Sequence, residues 1–296
     1  MPSRYLLRLR SLLASVRWRR GYLNKITALV AGTLLGLGFA ATAVTPVLAS
    51  CAGIAQGPLR KPHPYFMRSA AVDAVASLPE NHLRITFVGH SAFQIETPEG
   101  ARILTDYNDY VPGERVPHIV TMKNSHDTHF SYAPDKRILH VLRGWDPKGG
   151  VAKHNLKFRD IRVRNVATNL MENGDGTLRN GNSMFVFEAL GLCAVHISHL
   201  HHYLSKNQLA SLGLIDIAFA PIDGMWTMSH DELFRVLGDI KARMVIPMHF
   251  GSMGGTEAFI ARARDKWTVR RQDSDTILVS LRNMPKSPEV VFLQGF

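Results

Sequence analysis

The stretch Asn124-Ser125-His126-Asp127-Thr128-His129 follows directly on the apolar run His118–Met122. A run of that kind reads as a buried strand, so the two histidines fall on the loop that leaves its end. Neutral imidazole is the commonest protein ligand for zinc, copper, iron and nickel. Two imidazoles on one tight loop lower the entropy cost of assembling a metal site. A lone His-x-x-His is weak evidence, but the pattern recurs. His196, His199, His201 and His202 gather after a second apolar run, and His249 ends a third. The chain therefore reads as a metal-site protein whose ligands sit at strand ends.

The formal charge of +11, from 35 Lys and Arg against 24 Asp and Glu, first suggests a polyanion partner. Its location argues otherwise. Arg4, Arg8, Arg10, Arg17, Arg19, Arg20 and Lys25 stand unopposed, and without those seven the chain holds 28 basic residues against 24 acidic ones. The remainder is nearly balanced, which argues against a nucleic-acid footprint.

Residues 26–50 carry no charge and are mostly apolar. As a helix they extend about 37 Å at roughly 1.5 Å per residue, enough to cross a bilayer, and the basic flank keeps their start cytoplasmic. Arg19-Arg20-Gly21-Tyr22-Leu23-Asn24-Lys25 resembles a twin-arginine export signal. Leu48-Ala49-Ser50-Cys51 resembles a lipobox, with Cys51 the lipidated residue. An uncleaved anchor helix and a simple cleaved signal are the alternatives. All three place the following domain on the periplasmic side of a bacterial inner membrane. The expected organisation is an export signal or anchor (1–51), a Pro- and Gly-containing tether with a short helix at Met67–Leu78 (52–80), and a globular domain (81–296). Cys51 and Cys193 are the only cysteines, so acylation of Cys51 excludes a disulfide within the chain. Cys193, inside an apolar run, reads as a small core residue.

Leu83–Val88, Ala92–Thr97 and Ala101–Asp106 alternate as strands of an antiparallel meander. Asn169–Asn182 is rich in Gly and Asn and reads as a hairpin loop ahead of the strand Ser183–Leu190. Beyond residue 200 the pattern alternates helix and strand. Ser229-His230-Asp231-Glu232 has the spacing of a capping box and opens a helix. A meander followed by strand–helix units implies two packed sheets with outer helices, a four-layer α/β sandwich.

Three segments resemble the metallo-β-lactamase fold. They are Val88–Thr97 leading to Ile103–Asp106, Gly181-Asn182-Ser183-Met184-Phe185-Val186-Phe187-Glu188, and Val245-Ile246-Pro247-Met248-His249-Phe250. Within that fold the chain is similar to the branch of the ascorbate-6-phosphate lactonase. The resemblance implies a metal centre at His-x-His-x-Asp-His, which here reads Asn124-x-His126-x-Thr128-His129. The family's further ligand histidine falls near Asn169, its Gly-Asp at Ser198-His199, and its final histidine at His249. A dinuclear site offsets about four positive charges with hydroxide and carboxylates, and this set supplies no carboxylate. One divalent metal held by His126, His129, His199 and His249, with His196 as a further ligand or supporting partner, is the expectation. Zinc comes first, with iron, manganese or copper as alternatives, since imidazole does not choose among them. Asn124, Thr128, Asn169 and Asp106 are expected to support the ligands; Asp127 and His202 are candidates to accept a proton, while His201 and His202 read first as capping or lining their loop. His90 reads as a hydrogen-bonded structural residue, and His63, His118, His140, His154 and His230 as ordinary ones.

The implied activity is hydrolysis of a small-molecule ester, lactone or phosphoester by metal-activated water. A metal-binding lipoprotein without catalysis, or a metal-dependent oxidoreductase, is the alternative. Trp145, Met225 and Trp226 are candidates for an apolar wall at the substrate site.

Overall fold

A computed structural model describes residues 78–111, 113, 115–172, 176–250 and 255–295. The export signal, the lipobox and nearly all of the tether lie outside the described residues. Among those described, no helix is long and apolar enough to cross a membrane.

Two sheets form the frame. The first has six strands: β1 (Leu83–Gly89), β2 (Ala92–Glu96), β3 (Arg102–Leu104), β4 (Ile119–Met122), β5 (His140–Arg143) and β13 (Thr276–Val279), in the order β13-β1-β2-β3-β4-β5. Strands β1 to β3 are the expected antiparallel meander, and β3, β4 and β5 continue in parallel. The second sheet has eight strands. They are β6 (Asn155–Phe158), β7 (Ile161–Glu172), β8 (Gly176–Ala189), β9 (Leu192–His196), β10 (Ile217–Pro221), β11 (Met244–Met248), β12 (Thr268–Arg271) and β14 (Glu289–Phe292). Their order is β12-β14-β11-β10-β9-β8-β7-β6.

Side-chain alternation on β8 to β11 divides the interior in two. Phe185, Phe187, Ala194, Phe219 and Ile246 face the first sheet and meet Ile85, Phe93, Ile95 and Ile103. Phe93 and Phe219 lie with ring centroids 4.3 Å apart. The intervening Val186, Val195, Ala218 and Val245 face the helices α1 (Lys206–Leu212), α2 (His230–Ile240) and α3 (Gly255–Arg264). Helix α2 starts where its capping box requires: Ser229 and Glu232 bond reciprocally across its first turn. It turns Leu233, Phe234, Val236, Leu237 and Ile240 onto the core. The outer face of the six-stranded sheet is covered by Tyr107, Phe130, Ile138 and Trp145 from connecting segments.

The Gly- and Asn-rich segment departs from the loop expected over Asn169–Asn182. Strand β7 continues to Glu172 and β8 begins at Gly176. Between Thr168–Asn182 and Leu170–Leu178 the register shifts by two residues, with Arg179–Gly181 of β8 opposite Asn169 alone, and pairing resumes at Leu170–Leu178. Cys193 is buried on β9 and is disulfide-bonded.

Strand direction positions the site. β1 runs antiparallel to β2 and β2 to β3, so β1, β3 and β4 end on one side of their sheet. β9, β10 and β11 are mutually parallel and likewise end together. These six strand ends carry nearly all the residues of the site, as in other α/β sheets that bind ligands at their carboxyl edge.

Candidate metal centre

Four residues just past these strand ends adopt a left-handed backbone: His90 (φ 53°), Asp106 (φ 48°), Ser198 (φ 72°) and His249 (φ 52°). Non-glycine residues rarely take this conformation, and where they do it is held by surrounding structure, often at a functional site. Here each turns the chain sharply at the strand end. The amide of His249 donates to the carbonyl of His90 at 2.8 Å, tying the two sheets together at this edge.

The result is a cluster of imidazoles. His90 lies 5.0 Å from His129 and 4.4 Å from His249, centroid to centroid. His129 and His249 are stacked at 5.4 Å, and His199 stands edge-on to both at 5.1 and 5.2 Å. His126 is 5.1 Å from His199 and 6.2 Å from His129. The ligand nitrogens of His90, His129 and His249 all lie within 4.8 Å of one another.

Hydrogen bonding shows which nitrogens face inward. Nδ1 of His129 donates to Asp106 Oδ2 at 2.7 Å, and Nδ1 of His249 donates to Asp223 Oδ1 at 3.0 Å. A proton held on Nδ1 leaves the Nε2 lone pair available, the arrangement in which a carboxylate fixes a metal-binding imidazole. Nδ1 of His199 is similarly engaged by Nε2 of His201 at 2.7 Å. Nε2 of His90, His129 and His199 are buried with no hydrogen-bond partner. Orphaned buried imidazole nitrogens are costly unless something binds them. The donor set fits a metal.

The local electrostatics disfavour the charged form of His90 and His199. Burial, then the neighbouring His249 and His129, pushes His90 down to about 4, and burial with the same kind of neighbours pushes His199 to about 2. Behind His129 lies a second, drier layer. Lys123, fully buried, places Nζ 3.7 Å from Asp106 Oδ1, 3.5 Å from His196 Nδ1 and 4.5 Å from the Phe185 ring centroid. Burial alone would raise the Asp106 carboxyl, but His196, Lys123 and His129 outweigh it and hold the group ionised. Burial lowers Lys123 to about 8 against the pull of Asp106, which leaves it protonated at neutral pH.

The expected residues separate accordingly. His126, His129, His199 and His249 come together, and Asp106 supports His129. His196 does not join them. Its Nε2 donates to the Ser91 carbonyl at 2.8 Å and its Nδ1 faces Lys123, so neither nitrogen is open to a metal. His202, expected as a proton acceptor, has Nδ1 on the Tyr203 carbonyl at 2.8 Å and Nε2 accepting from the Asn169 amide at 3.1 Å. It clasps Asn169, the β7 residue opposite the β8 bulge, and that gives Asn169 a structural place: its Oδ1 accepts the Asn180 amide at 3.1 Å. Asp127 is exposed and accepts the Tyr110 hydroxyl at 2.7 Å. Thr128 contributes its carbonyl, to Asn108 at 2.8 Å, and Asn124 is half-buried on the turn before His126.

Three functional residues were not expected. His90 replaces the structural role read for it with an unpartnered, inward-facing nitrogen. Its signal was Gly89-His90 at a strand end, the same position that made His249 a candidate. Asp223, two residues past β10, is the carboxylate behind His249, and the strand-ending Pro221-Ile222-Asp223-Gly224 carried that signal. Lys123, immediately after β4, carried none.

A sandwich of two sheets with a histidine centre at their shared carboxyl edge defines a metallo-β-lactamase-fold protein. A family model, the beta-lactamase superfamily domain, matches residues 84–249, and the chain belongs to this family. A UPF0173 protein of Pyrococcus abyssi is 26% identical over 187 residues, which span 60% of this chain and 87% of the relative. A protein of Solibacter usitatus named UPF0173 metal-dependent hydrolase is 27% identical over 202 residues, 57% of this chain and 86% of its own. A metallo-beta-lactamase superfamily structure from Thermotoga maritima superposes with a TM-score of 0.54 at 23% identity, covering 71% of this chain and 98% of its own, and shares the fold.

Proposed function

We propose that this chain is an exported metal-dependent hydrolase that cleaves a small-molecule ester, lactone or phosphoester at a single divalent metal, zinc first among the candidates. One observation carries the reading: three buried imidazole nitrogens without partners converge beside His249, and two of the four rings are backed by buried carboxylates. His90, His129 and His249 form the minimal ligand set, and His199 and His126 complete the wall around it. When bound, the metal supplies Lewis acidity toward a carbonyl or phosphoryl oxygen and toward water.

The chain's own groups do the rest. Asp106 and Asp223 fix the tautomers of His129 and His249. His126, exposed at the edge of the cluster, and Asp127 beside it are the groups placed to hold a proton at the solvent side. The single-metal count follows from charge, since both site carboxylates point away from the centre into Nδ1 hydrogen bonds and none is left to bridge two cations. Support for export comes from the sequence: the twin-arginine-like stretch, the uncharged run before residue 51, and the acceptor Cys51. Because the chain has two cysteines, a lipidated Cys51 and a Cys193 disulfide within the same chain exclude each other. The intact mass of the mature protein decides between them.

Elemental analysis of the purified full chain, per protomer, tests the centre. About one equivalent of zinc supports the proposal and opens an ester and phosphoester screen. One of iron, manganese or copper turns the reading toward redox chemistry. Two equivalents overturn the single-metal count. None, with none taken up on titration, leaves a metal-free binding protein.

A further inference from the structure

Among the described residues, four Phe, Tyr or Trp side chains are exposed: Tyr110 (66%), Tyr132 (82%), Tyr203 (44%) and Trp226 (55%). Each lies within four residues of a group in the histidine centre, following Asp106, His129, His201 and Asp223 respectively. Met225, 61% exposed, joins Trp226. Aromatic surface on scattered loops needs no explanation, whereas its confinement to the loops that build one site does.

The loop carrying Met225 and Trp226 is fixed to the centre. Asp223 Oδ2 accepts the amides of Met225 (3.0 Å), Trp226 (2.5 Å) and Thr227 (3.0 Å). Its Oδ1 accepts the Thr227 hydroxyl at 2.6 Å together with Nδ1 of His249. One carboxylate thus sets both a ligand imidazole and the apolar loop beside it. Tyr132, three residues after His129, packs edge-on against Phe130 at 4.8 Å, and Phe130 against Trp145 at 5.8 Å. Tyr110 is held by its bond to Asp127, next to His126. Tyr203 is stacked under the Arg235 guanidinium at 4.1 Å and turns toward α2. Rings anchored in this way offer apolar area at little entropic cost.

We propose that Met225, Trp226 and Tyr132 form a preset apolar rim that binds a hydrocarbon portion of the substrate, so the bond cleaved belongs to an ester or phosphoester bearing an extended acyl or aryl group. This rests on the metal centre described above and names the substrate class for it. A fully polar substrate would desolvate the rim without contacting it. A long apolar group covers it while the scissile bond stays at the imidazoles.

Straight-chain hydroxamates test this without relying on turnover, because the head binds metal and the tail varies. Titrate the zinc-loaded full chain with acetohydroxamate and octanohydroxamate, following binding by calorimetry. The rim predicts at least about tenfold tighter binding of the octanoyl compound, a fraction of what full burial of six methylenes would give. In M225S/W226S, and separately in Y132S, that gain should shrink several-fold while acetohydroxamate affinity and zinc content stay unchanged. Acetohydroxamate binding with no chain-length gain, or a gain equal in wild type and variants, overturns the rim and leaves the metal centre standing. No binding of either compound overturns both. Capture of wild type but not of M225S/W226S by phosphatidylcholine vesicles, without a chain-length gain, overturns the proposal in favour of a membrane-facing surface.

Discussion

The Asp106–His129 and Asp223–His249 pairs make the same bond, an Nδ1–H donated to a carboxylate, in two different surroundings. Asp106 is fully buried, and although burial opposes its ionisation, its contacts with His196, Lys123 and the His129 hydrogen bond outweigh it. Asp223 lies at the base of an exposed loop, where burial opposes ionisation but bonds from His249, Thr227 and the Met225 amide hold it well below the usual carboxylate range. The first pair is rooted in the core and the second at the base of an exposed loop. One imidazole is thereby positioned by the core and the other together with the Met225–Thr227 loop, so the two carboxylates are expected to differ in what their loss does.

Removing an imidazole is the largest perturbation. H129A and H249A, and with them H90A, should each reduce metal content to below about a tenth of wild type. H140A and H196N should leave it within a factor of two, measured per chain by mass spectrometry of the metal. Retention of full metal by H90A would return the ligand set to the other histidines of the cluster.

The carboxylates come next. D106N leaves a buried Lys123 without its counter-ion, a loss of about 3–5 kcal/mol for a broken buried pair. D223N leaves no buried charge unpaired and should act mainly on metal affinity, by about 10- to 100-fold. The double variant D106N/K123M should recover most of the stability lost by D106N without recovering metal affinity, because the His129 support is still missing. Equal losses of stability in D106N and D223N would mean that the two surroundings are not different in the way described.

Acid should expose the same contrast in the metal-free protein. His196 is lowered to about 4, chiefly by burial, from the usual 6.5. A depressed histidine is fully stabilising above 6.5, and its contribution fades as pH falls toward 4, by up to about 3 kcal/mol. Asp106 and Asp223 are also depressed, so their contributions persist above the ordinary carboxylate value and are lost only as pH falls further. Urea midpoints should therefore drop between pH 7 and 5 before any carboxylate protonates. H196N should remove only its own part of that drop, because His90, His118 and His199 are depressed too, and an unchanged slope would show that His196 contributes nothing to it.

The elements were legible where pattern and chemistry agreed. The meander, the Ser229–Glu232 cap and the parallel strands ending in histidine follow from alternation, spacing and apolar runs, and the clusters of histidines at strand ends with them; it is the resemblance to the family that singles out His199 and His249 among those histidines. What the pattern concealed depends on backbone turns. A strand-end histidine points into the centre only if its residue adopts a left-handed φ, and neither His90 nor Asp106 advertises that in residue type. His196 failed in the opposite way. It ends an apolar strand like the ligands, but it lies on the side facing Lys123 and Ser91. Lys123 was invisible because a lysine after a strand is ordinarily solvated, and only the convergence of Asp106, His196 and Phe185 buries it.

His202 gives the smallest expected effect. Both its nitrogens are committed to backbone groups, and one of them holds the Asn169 amide, opposite the β8 bulge. H202A removes two neutral hydrogen bonds at a half-buried position, worth about 1 kcal/mol. For a domain of this size that lowers Tm by about 2–4 °C. Metal content and any hydrolytic rate should stay within twofold, because the nearest ring of the centre, His199, is held by His201 and not by His202. A large loss of rate with an unchanged Tm would show that the clasp opens in turnover and that His202 carries a proton after all. H202N, which keeps a donor and an acceptor in place of the ring, separates the cases: it should restore Tm in the first and leave the rate low in the second.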